Sequence, residues 1–326
     1  WTFAEANRDP AVYRDFLIFY NPNDGGTTVT VELFYDDGTV VSFDRSLAAL
    51  RRGGVNFNDD LSVPKSGRFS VRVSAPVPIV AALSSYDIAN GRGYGLLGSA
   101  GGGATEGVVP FVTAGGGVES SVAIFNDSAS PATVTLVATY LRVDLPELVR
   151  VFNVPAGGRV SVPMTQLGLS QGQAAGLKYF ADTPVTVNYR EYQFGDGDAS
   201  ATATHGITTG IIGDAFVNPS GAGITYIERL NLFNPTGVES SVQITYLFTD
   251  GTTAVRNVTI APGRFSIVAV DAEPAILNRV EPTAFSIRLD SSLPFVAGFI
   301  HYDLFLAGGW STLASPIGLT NELSLI

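Results

Sequence analysis

The sequence predicts an all-β protein of three tandem β-sandwich domains, each about a hundred residues long and mostly antiparallel, with short helical turns in loops. Three observations predict this class. The 326 residues include 36 Gly and 18 Pro among many Val, Thr, Phe and Tyr, which is typical of short strands joined by tight turns. Apolar and polar residues alternate over short segments. Finally, two blocks of sequence recur three times with fixed spacing.

The first recurrent block is an apolar run that ends in asparagine. IFYNP, AIFND and NLFNP place Asn21, Asn126 and Asn234 at spacings of 126 − 21 = 105 and 234 − 126 = 108 residues. Seven residues after each Asn an alternating segment begins, which is TVTVEL, TVTLVA or SVQITY. This alternation is typical of a strand with one buried face. We interpret the Asn as the end of a strand, where its side chain bonds the backbone of the turn.

The second recurrent block joins a proline to a tyrosine eight residues later. The pairs are Pro78 with Tyr86, Pro184 with Tyr192, and Pro294 with Tyr302. We predict domains at residues 1–105, 106–212 and 213–326, which we call repeats 1, 2 and 3. Segments rich in small residues, 89–104 and 194–210, are each expected to hold a last strand and a linker.

Turn signals place further elements. DDG at 36–38 and TDG at 249–251 predict hairpin turns in which Gly38 and Gly251 adopt positive φ. Repeat 2 has RVDLPE at 142–147 instead, which predicts a longer loop. We expect the segments 46–54 and 271–280 each to supply a short helical turn.

Repeat 1 resembles the sensory rhodopsin transducers, a family of small β-sandwich proteins, and the related tandem modules of secreted bacterial proteins. The matching residues are WTFAE at 1–5, the strand that ends at Asn21, NFNDDL at 56–61 and VPIVA at 77–81. The resemblance implies a β-sandwich fold; the single-domain transducers assemble from several chains, whereas this chain carries three sandwiches in a row. The resemblance also implies a signalling role as one candidate function, and it supplies no catalytic motif.

Charge and composition exclude several partners and chemistries. A formal net charge of −11 disfavours nucleic acid and anionic membrane surfaces as partners. No apolar window is long enough for a membrane-inserted helix. Cysteine is absent, which removes disulfides, thiolate metal sites and cysteine nucleophiles. Because the chain begins at Trp1 and its single methionine is Met164, we expect a removed leader or upstream region and an extracellular or cell-surface protein; an excised piece of a longer protein is the alternative.

The sequence predicts neither catalytic residues nor a cofactor. No Gly-x-Ser-x-Gly motif occurs, and His205 and His301 fall at different positions of their repeats. GYGLLG at 93–98 matches the spacing of a dinucleotide-binding loop, but SAGGGA follows it and cannot begin the required helix.

Two weaker candidates for binding remain. Asp196 and Asp198 in GDGDAS are candidate calcium ligands, and a solvated linker is the alternative interpretation of that segment. Trp310 has no counterpart in the other repeats, which makes it a candidate contact for a glycan or a protein partner.

The leading functional hypothesis is a non-enzymatic extracellular structural or interaction protein, such as a subunit of a surface layer, fibre or adhesive array. It follows from a repeated scaffold with no set of catalytic residues repeated alongside it. We expect self-association through sheet edges or through the terminal segments WTFAEA and TNELSLI (320–326). The alternatives are a glycan- or protein-binding module of a secreted protein and a soluble signalling transducer.

Overall fold

The structure is a computed structural model that describes residues 1–218, 226–279, 283–305 and 307–317. These residues form 23 β-strands, two four-residue α-helices and one 3-10 turn. All strand pairs are antiparallel, and they form three separate sheet systems. The predicted all-β class of tandem β-sandwiches is therefore confirmed.

Repeat 1 contributes eight strands to the first sheet system. They are β1 (Thr2–Asp9), β2 (Tyr13–Tyr20), β3 (Thr27–Tyr35), β4 (Val40–Leu47), β5 (Arg52–Asn56), β6 (Gly67–Ser74), β7 (Val80–Asp87) and β8 (Arg92–Leu97).

The second sheet system comprises seven strands and one helix. They are β9 (Ala104–Thr113), β10 (Glu119–Asn126), β11 (Ala132–Tyr140), β12 (Leu148–Val154), β13 (Gly158–Pro163), α1 (Met164–Leu167), β14 (Ala174–Gln193) and β15 (Asp196–Ala201).

The third sheet system repeats this order and adds a 3-10 turn before the helix and a short strand at the end. Its members are β16 (Ile207–Val217), β17 (Tyr226–Phe233), β18 (Ser240–Phe248), β19 (Thr253–Ile260), β20 (Phe265–Ala269), a 3-10 turn (Val270–Ala272), α2 (Pro274–Leu277), β21 (Thr283–Asp303), β22 (Gly308–Leu313) and β23 (Ser315–Pro316).

Each repeat is a sandwich of two four-stranded layers with one topology, and in repeat 3 the two-residue strand β23 also pairs with β16. The layer that holds the first strand of the repeat, which we call the N-sheet, has the order β4-β3-β6-β1, β12-β11-β14-β9 or β19-β18-β21-β16. The layer that holds the last hairpin, which we call the C-sheet, has the order β5-β2-β7-β8, β13-β10-β14-β15 or β20-β17-β21-β22. The three repeats therefore share topology as well as spacing.

The recurrent prolines lie where the chain passes from the N-sheet to the C-sheet. In repeat 2, β14 pairs with β11 up to Ala181 and with β10 from Thr186 onward, and Pro184 lies between. Pro294 has the same position in β21, and Pro78 lies between β6 and β7. A proline lacks the N–H that a central ladder position requires, so it fits this crossover.

A hydrophobic core fills the space between the two layers of each repeat. Burial of each large side chain contributes roughly 1.5–3 kcal/mol. The fully buried aromatic residues include Phe3, Phe19, Phe57 and Phe69 in repeat 1, Tyr179 and Tyr189 in repeat 2, and Tyr246, Phe295 and Phe299 in repeat 3.

Most of the expected turns are confirmed. Gly38 and Gly251 adopt φ of 82° and 83°, a loop joins β11 to β12, and α2 lies within 271–280. The helical turn expected at 46–54 is wrong, because this segment completes β4 and then forms β5 on the edge of the C-sheet. Gly54 permits that pairing, since a Cβ there would lie 2.4 Å from the Leu17 carbonyl oxygen.

One expectation about the ends of the repeats differs from the structure. The boundary placed at residue 212 falls inside β16, which starts at Ile207, because a strand rich in Gly and Thr has the composition of a linker. Strand addition by WTFAEA stays a prediction; β1 pairs with β6 on one side and with β2 only at its end. TNELSLI lies outside the described residues. No helix in the described part of the chain is long and apolar enough to span a membrane.

Candidate functional site

Buried ionisable side chains and hydrogen bonds between repeats lie in the two contact regions that join consecutive repeats. The C-sheet of repeat 2 packs on the N-sheet of repeat 1, and we call this contact the first junction. The C-sheet of repeat 3 packs on the N-sheet of repeat 2, and we call this contact the second junction. The same two faces are therefore used twice.

The recurrent asparagines lie at the end of a C-sheet strand in each repeat. All three side chains are fully buried. In repeat 3, the Asn234 amide nitrogen donates to the carbonyls of Val238 (2.7 Å) and Ile260 (3.0 Å). Its amide oxygen accepts the Thr236 N–H at 2.9 Å. Asn21 and Asn126 likewise bond the N–H two residues later and the carbonyl four residues later. Each Asn thus closes a turn and ties it to a distant strand end.

The recurrent tyrosines lie on the outer face of each C-sheet, directly opposite a glycine of the last hairpin. The pairs are Tyr86 with Gly93, Tyr192 with Gly197, and Tyr302 with Gly309. Tyr192 and Tyr302 are each only 2% exposed because the preceding repeat covers them, whereas Tyr86 is 48% exposed.

An ion cluster lies in the first junction. The Glu5 carboxylate of repeat 1 pairs with Arg159 at 2.8 Å and with Arg190 at 3.0 Å, both from repeat 2. Glu5 and Arg159 are almost completely buried. Burial alone would raise the pKa of Glu5, but the two guanidinium groups hold it below its ordinary value. Such a cluster is costly to break, because each charge depends on the others.

Neutral contacts complete the first junction. The Phe34 and Phe125 rings pack with centroids 5.0 Å apart. The Thr2 and Thr186 hydroxyls are hydrogen-bonded at 2.5 Å. The Ala4 N–H, in an irregular part of β1, donates to the Asn188 side-chain oxygen at 2.8 Å. A backbone donor that β1 does not pair is thereby satisfied by the next repeat.

At the second junction, different residues occupy the positions of Ala4 and Asn188, and no unpaired backbone N–H arises there. Pro110 replaces Ala4 and has no N–H, and Gly298 replaces Asn188. A Cβ at Gly298 would lie 2.7 Å from the Pro110 ring, so glycine is required for this close contact. Phe233 and Val296 of repeat 3 form an apolar cluster with Val108 of repeat 2.

A buried acid cluster also lies in the second junction. Tyr302 donates to Glu191 Oε1 (3.1 Å) and is 3.3 Å from Asp198 Oδ2. Tyr189 donates to Glu191 Oε2 at 2.5 Å. Burial raises the pKa of Glu191, and burial together with the nearby Glu191 raises the pKa of Asp198 well above its ordinary value. The cluster therefore favours protonated carboxyl groups and hydrogen bonds.

The calcium candidates serve as hydrogen-bond acceptors between repeats. The two Asp196 oxygens accept the N–H groups of Gly93 and Gly309, each at 2.9 Å, which connects the last hairpins of all three repeats. Asp198 accepts the Ser311 hydroxyl at 3.0 Å and is 2% exposed. The solvated linker is therefore wrong, since 196–201 is a strand. The described residues contain no group of three or more metal-ligating side chains.

Sequence reasoning missed a further equivalent position, six residues before each recurrent Asn. There Asp15 accepts the Ser85 hydroxyl at 2.7 Å, and Glu228 is 2.7 Å from His301 Nδ1. The third member is Ser120, which donates to the Thr113 carbonyl. Burial raises the pKa of Asp15 to about 6 and also raises that of Glu228. Alignment of the repeats on the Asn would have revealed the position.

Trp310 is half-buried at the open end of repeat 3. Its ring stacks on His301, with centroids 5.6 Å apart, and packs on Phe299. The cross-strand register makes Trp310 equivalent to Tyr94 and Asp198, because each lies opposite the residue before the recurrent Tyr. Trp310 thus has structural counterparts that the sequence did not reveal.

Comparison with known proteins shows the family of this all-β repeat protein. A family model described as a family of unknown function (DUF5719) matches residues 11–271. The chain belongs to this family. No curated protein matches it.

Two solved structures are similar to parts of the chain. One is the crystal structure of Thermotoga maritima 1070, at 22% identity and a TM-score of 0.30, over 34% of this chain and 95% of that one. The other is the Anabaena sensory rhodopsin transducer, at 22% identity and a TM-score of 0.25, over 28% of this chain and 94% of that one. At these values neither likeness bears on function.

Proposed function

We propose that this chain is a non-enzymatic extracellular structural or interaction protein, in which three β-sandwich repeats form one continuous scaffold. The observation that carries the proposal is the repeated use of one pair of sheet faces. The C-sheet of each later repeat packs on the N-sheet of the repeat before it. A fold that repeats its docking faces is suited to binding and assembly.

The polar residues of the chain support the same function. Glu5, Arg159 and Arg190 hold repeats 1 and 2 together. Asp196 joins hairpins from all three repeats, and Asp198 bonds Tyr302 and Ser311 across the second junction. These groups act between repeats, so their role is to fix the relative position of the three repeats.

Fractionation of native cells tests this function. An antibody against the folded chain is used to follow it in cytosol, membrane, surface and culture medium. We expect the protein at the surface or in the medium, cross-linked by a short amine-reactive reagent into complexes larger than one chain. Recovery from the cytosol together with a membrane receptor would instead support the signalling transducer. A cytosolic monomer without partners would contradict both functions.

A further inference from the structure

The face of repeat 1 that corresponds to the docking faces of repeats 2 and 3 is uncovered. Tyr20, which precedes Asn21, is 40% exposed, whereas its equivalents Phe125 and Phe233 are 1% and 0% exposed. Tyr86 is likewise exposed, whereas its equivalents Tyr192 and Tyr302 are buried. The outer face of this C-sheet is largely apolar, with Phe16, Ile18, Tyr20, Val80, Ala82 and Tyr86.

The N-sheet of repeat 3 corresponds to the N-sheets of repeats 1 and 2 that lie in the junctions, and its equivalent positions are exposed or partly exposed. The strand register makes Ile211 equivalent to Thr2 and Val108, which lie in the two junctions. Gly213 occupies the position of Ala4 and Pro110, and Asp214 that of Glu5. Gly213 and Asp214 are exposed. Among the described residues, therefore, no repeat covers the outer face of the C-sheet of repeat 1 or that of the N-sheet of repeat 3.

One pair of facing positions matches across the two free faces as it does in both junctions. In the first junction Thr2 meets Thr186, and in the second Val108 clusters with Val296. At the corresponding positions the free faces carry Ile211 and Val80. Each junction thus places two residues of the same type at these positions. The free pair, Ile211 and Val80, likewise consists of two β-branched apolar residues.

The charged positions also match. Arg52 has the place of Arg159, since each lies opposite the aromatic residue that precedes the recurrent Asn. Arg159 pairs with Glu5, so the corresponding free pair is Arg52 with Asp214. Both are exposed, and neither has an ion pair within the described parts of the chain.

We propose that the C-sheet of repeat 1 binds the N-sheet of repeat 3 from a second copy of this chain, and that this contact repeats the two junctions. The proposal rests on the proposed function of an interaction protein and names its partner. The two faces differ, so the contact is head-to-tail, and it produces a closed ring or a filament according to the rotation between copies.

The recurrent tyrosine supplies a spectroscopic signal for this contact. Tyr192 packs on Tyr94 with centroids 6.1 Å apart, and Tyr302 bonds Asp198. The equivalent partner of Tyr86 is Trp310 of the second copy. Association therefore buries the open side of Trp310, and its fluorescence emission shifts to shorter wavelength.

A charge exchange tests the contact with the full chain. Variants Arg52→Asp, Asp214→Arg and the double variant are compared by sedimentation velocity over a wide range of concentration. We expect the unmodified protein to associate, each single variant to bind at least tenfold more weakly, and the double variant to recover most of the affinity. Arg51→Asp is the matched control, because Arg51 is exposed but outside the equivalent position.

Other outcomes overturn the proposal. One is an unmodified protein that stays monomeric at every concentration, and another is an association that all four variants leave unchanged. A Trp310 emission independent of concentration also counts against it. Since Arg52 and Asp214 are exposed, circular dichroism is expected to show folded variants. A monomeric protein located at the cell surface would overturn this contact and leave the proposed function standing.

Discussion

Asn21, Asn126 and Asn234 show how one side chain type defines the end of a strand in each repeat. The amide offers two donors and one acceptor, and these bond the turn on one side and a distant strand end on the other. An aspartate of the same shape lacks the donors. The asparagine is therefore required by chemistry at a position where size alone would allow several residues.

Replacement of Asn234 by alanine is expected to lower the free energy of unfolding by about 2–4 kcal/mol, because the buried Ile260 carbonyl and the partly buried Val238 carbonyl lose their donor. Urea denaturation measures this change. Asn257→Ala is the control, since Asn257 is exposed on β19, and we expect its effect to stay within about 0.5 kcal/mol. Equal effects of the two substitutions would contradict the role of Asn234.

The buried Asp15 makes stability depend on pH. Its pKa is raised by burial from 3.8 to about 6, so the folded state holds the proton more tightly than the unfolded state does. The stabilisation is fully present below pH 3.8 and is lost as pH rises through about 6.

Comparison with Asp15→Asn isolates this effect, since Glu191, Asp198 and Glu228 have raised pKa values that act in the same direction. Between pH 4.5 and 7.5 we expect the stability of the unmodified protein to fall by about 2 kcal/mol relative to the variant. Urea midpoints at both pH values provide the measurement. Parallel pH profiles of the two proteins would show that Asp15 titrates normally.

At the scale of elements, the last hairpin of each repeat joins that repeat to its neighbours. β15 of repeat 2 lies between β8 and β22, and Asp196 at its start bonds both. Close approach requires glycine here, because a Cβ at Gly197 would lie 2.6 Å from the Tyr192 ring and 2.8 Å from the Gly93 carbonyl oxygen. The segment that has the composition of a linker is thus a tightly packed strand.

Gly197→Ala is expected to lower the free energy of unfolding by about 1–3 kcal/mol, since the added methyl group overpacks the hairpin. Thermal unfolding followed by circular dichroism measures the loss. Gly95→Ala in β8 is the matched control, because no atom lies within 4 Å of the Cβ it would add. If both variants melt at the same temperature, the close packing of this hairpin is not what stabilises it.

At the scale of the whole molecule, the two junctions couple the unfolding of the three repeats. Glu5 is the centre of the first junction, and its loss leaves Arg190 buried without its carboxylate partner and Arg159 paired with Asp36 alone. Units joined by buried contacts of this kind unfold together, whereas units joined only by linkers unfold independently.

Glu5→Ala is expected to cost about 3–5 kcal/mol and to separate the unfolding of repeat 1 from that of the other repeats. Differential scanning calorimetry detects the change from one transition to two. Glu239→Ala removes the same charge from an exposed site and is expected to preserve a single transition. An unchanged calorimetric profile for Glu5→Ala would show that this ion cluster does not couple the repeats.

The sequence by itself determined the all-β class, the threefold repeat marked by Pro78 and its equivalents, and the turn position of Asn21. These features are local, since alternation, turn chemistry and fixed spacing act over a few residues and recur with each copy. Local signals also placed the hairpin turns at Gly38 and Gly251, where only positive φ closes the turn.

Only the tertiary structure decided which residues meet. The contacts of Glu5 with Arg190 and of Tyr302 with Asp198 join residues more than a hundred positions apart, and no local pattern encodes their pairing. The same holds for Tyr86, which follows a recurrent proline by eight residues as Tyr192 and Tyr302 do, but which no preceding repeat covers. Burial depends on the neighbour across the junction, and that neighbour is set by packing of whole sheets.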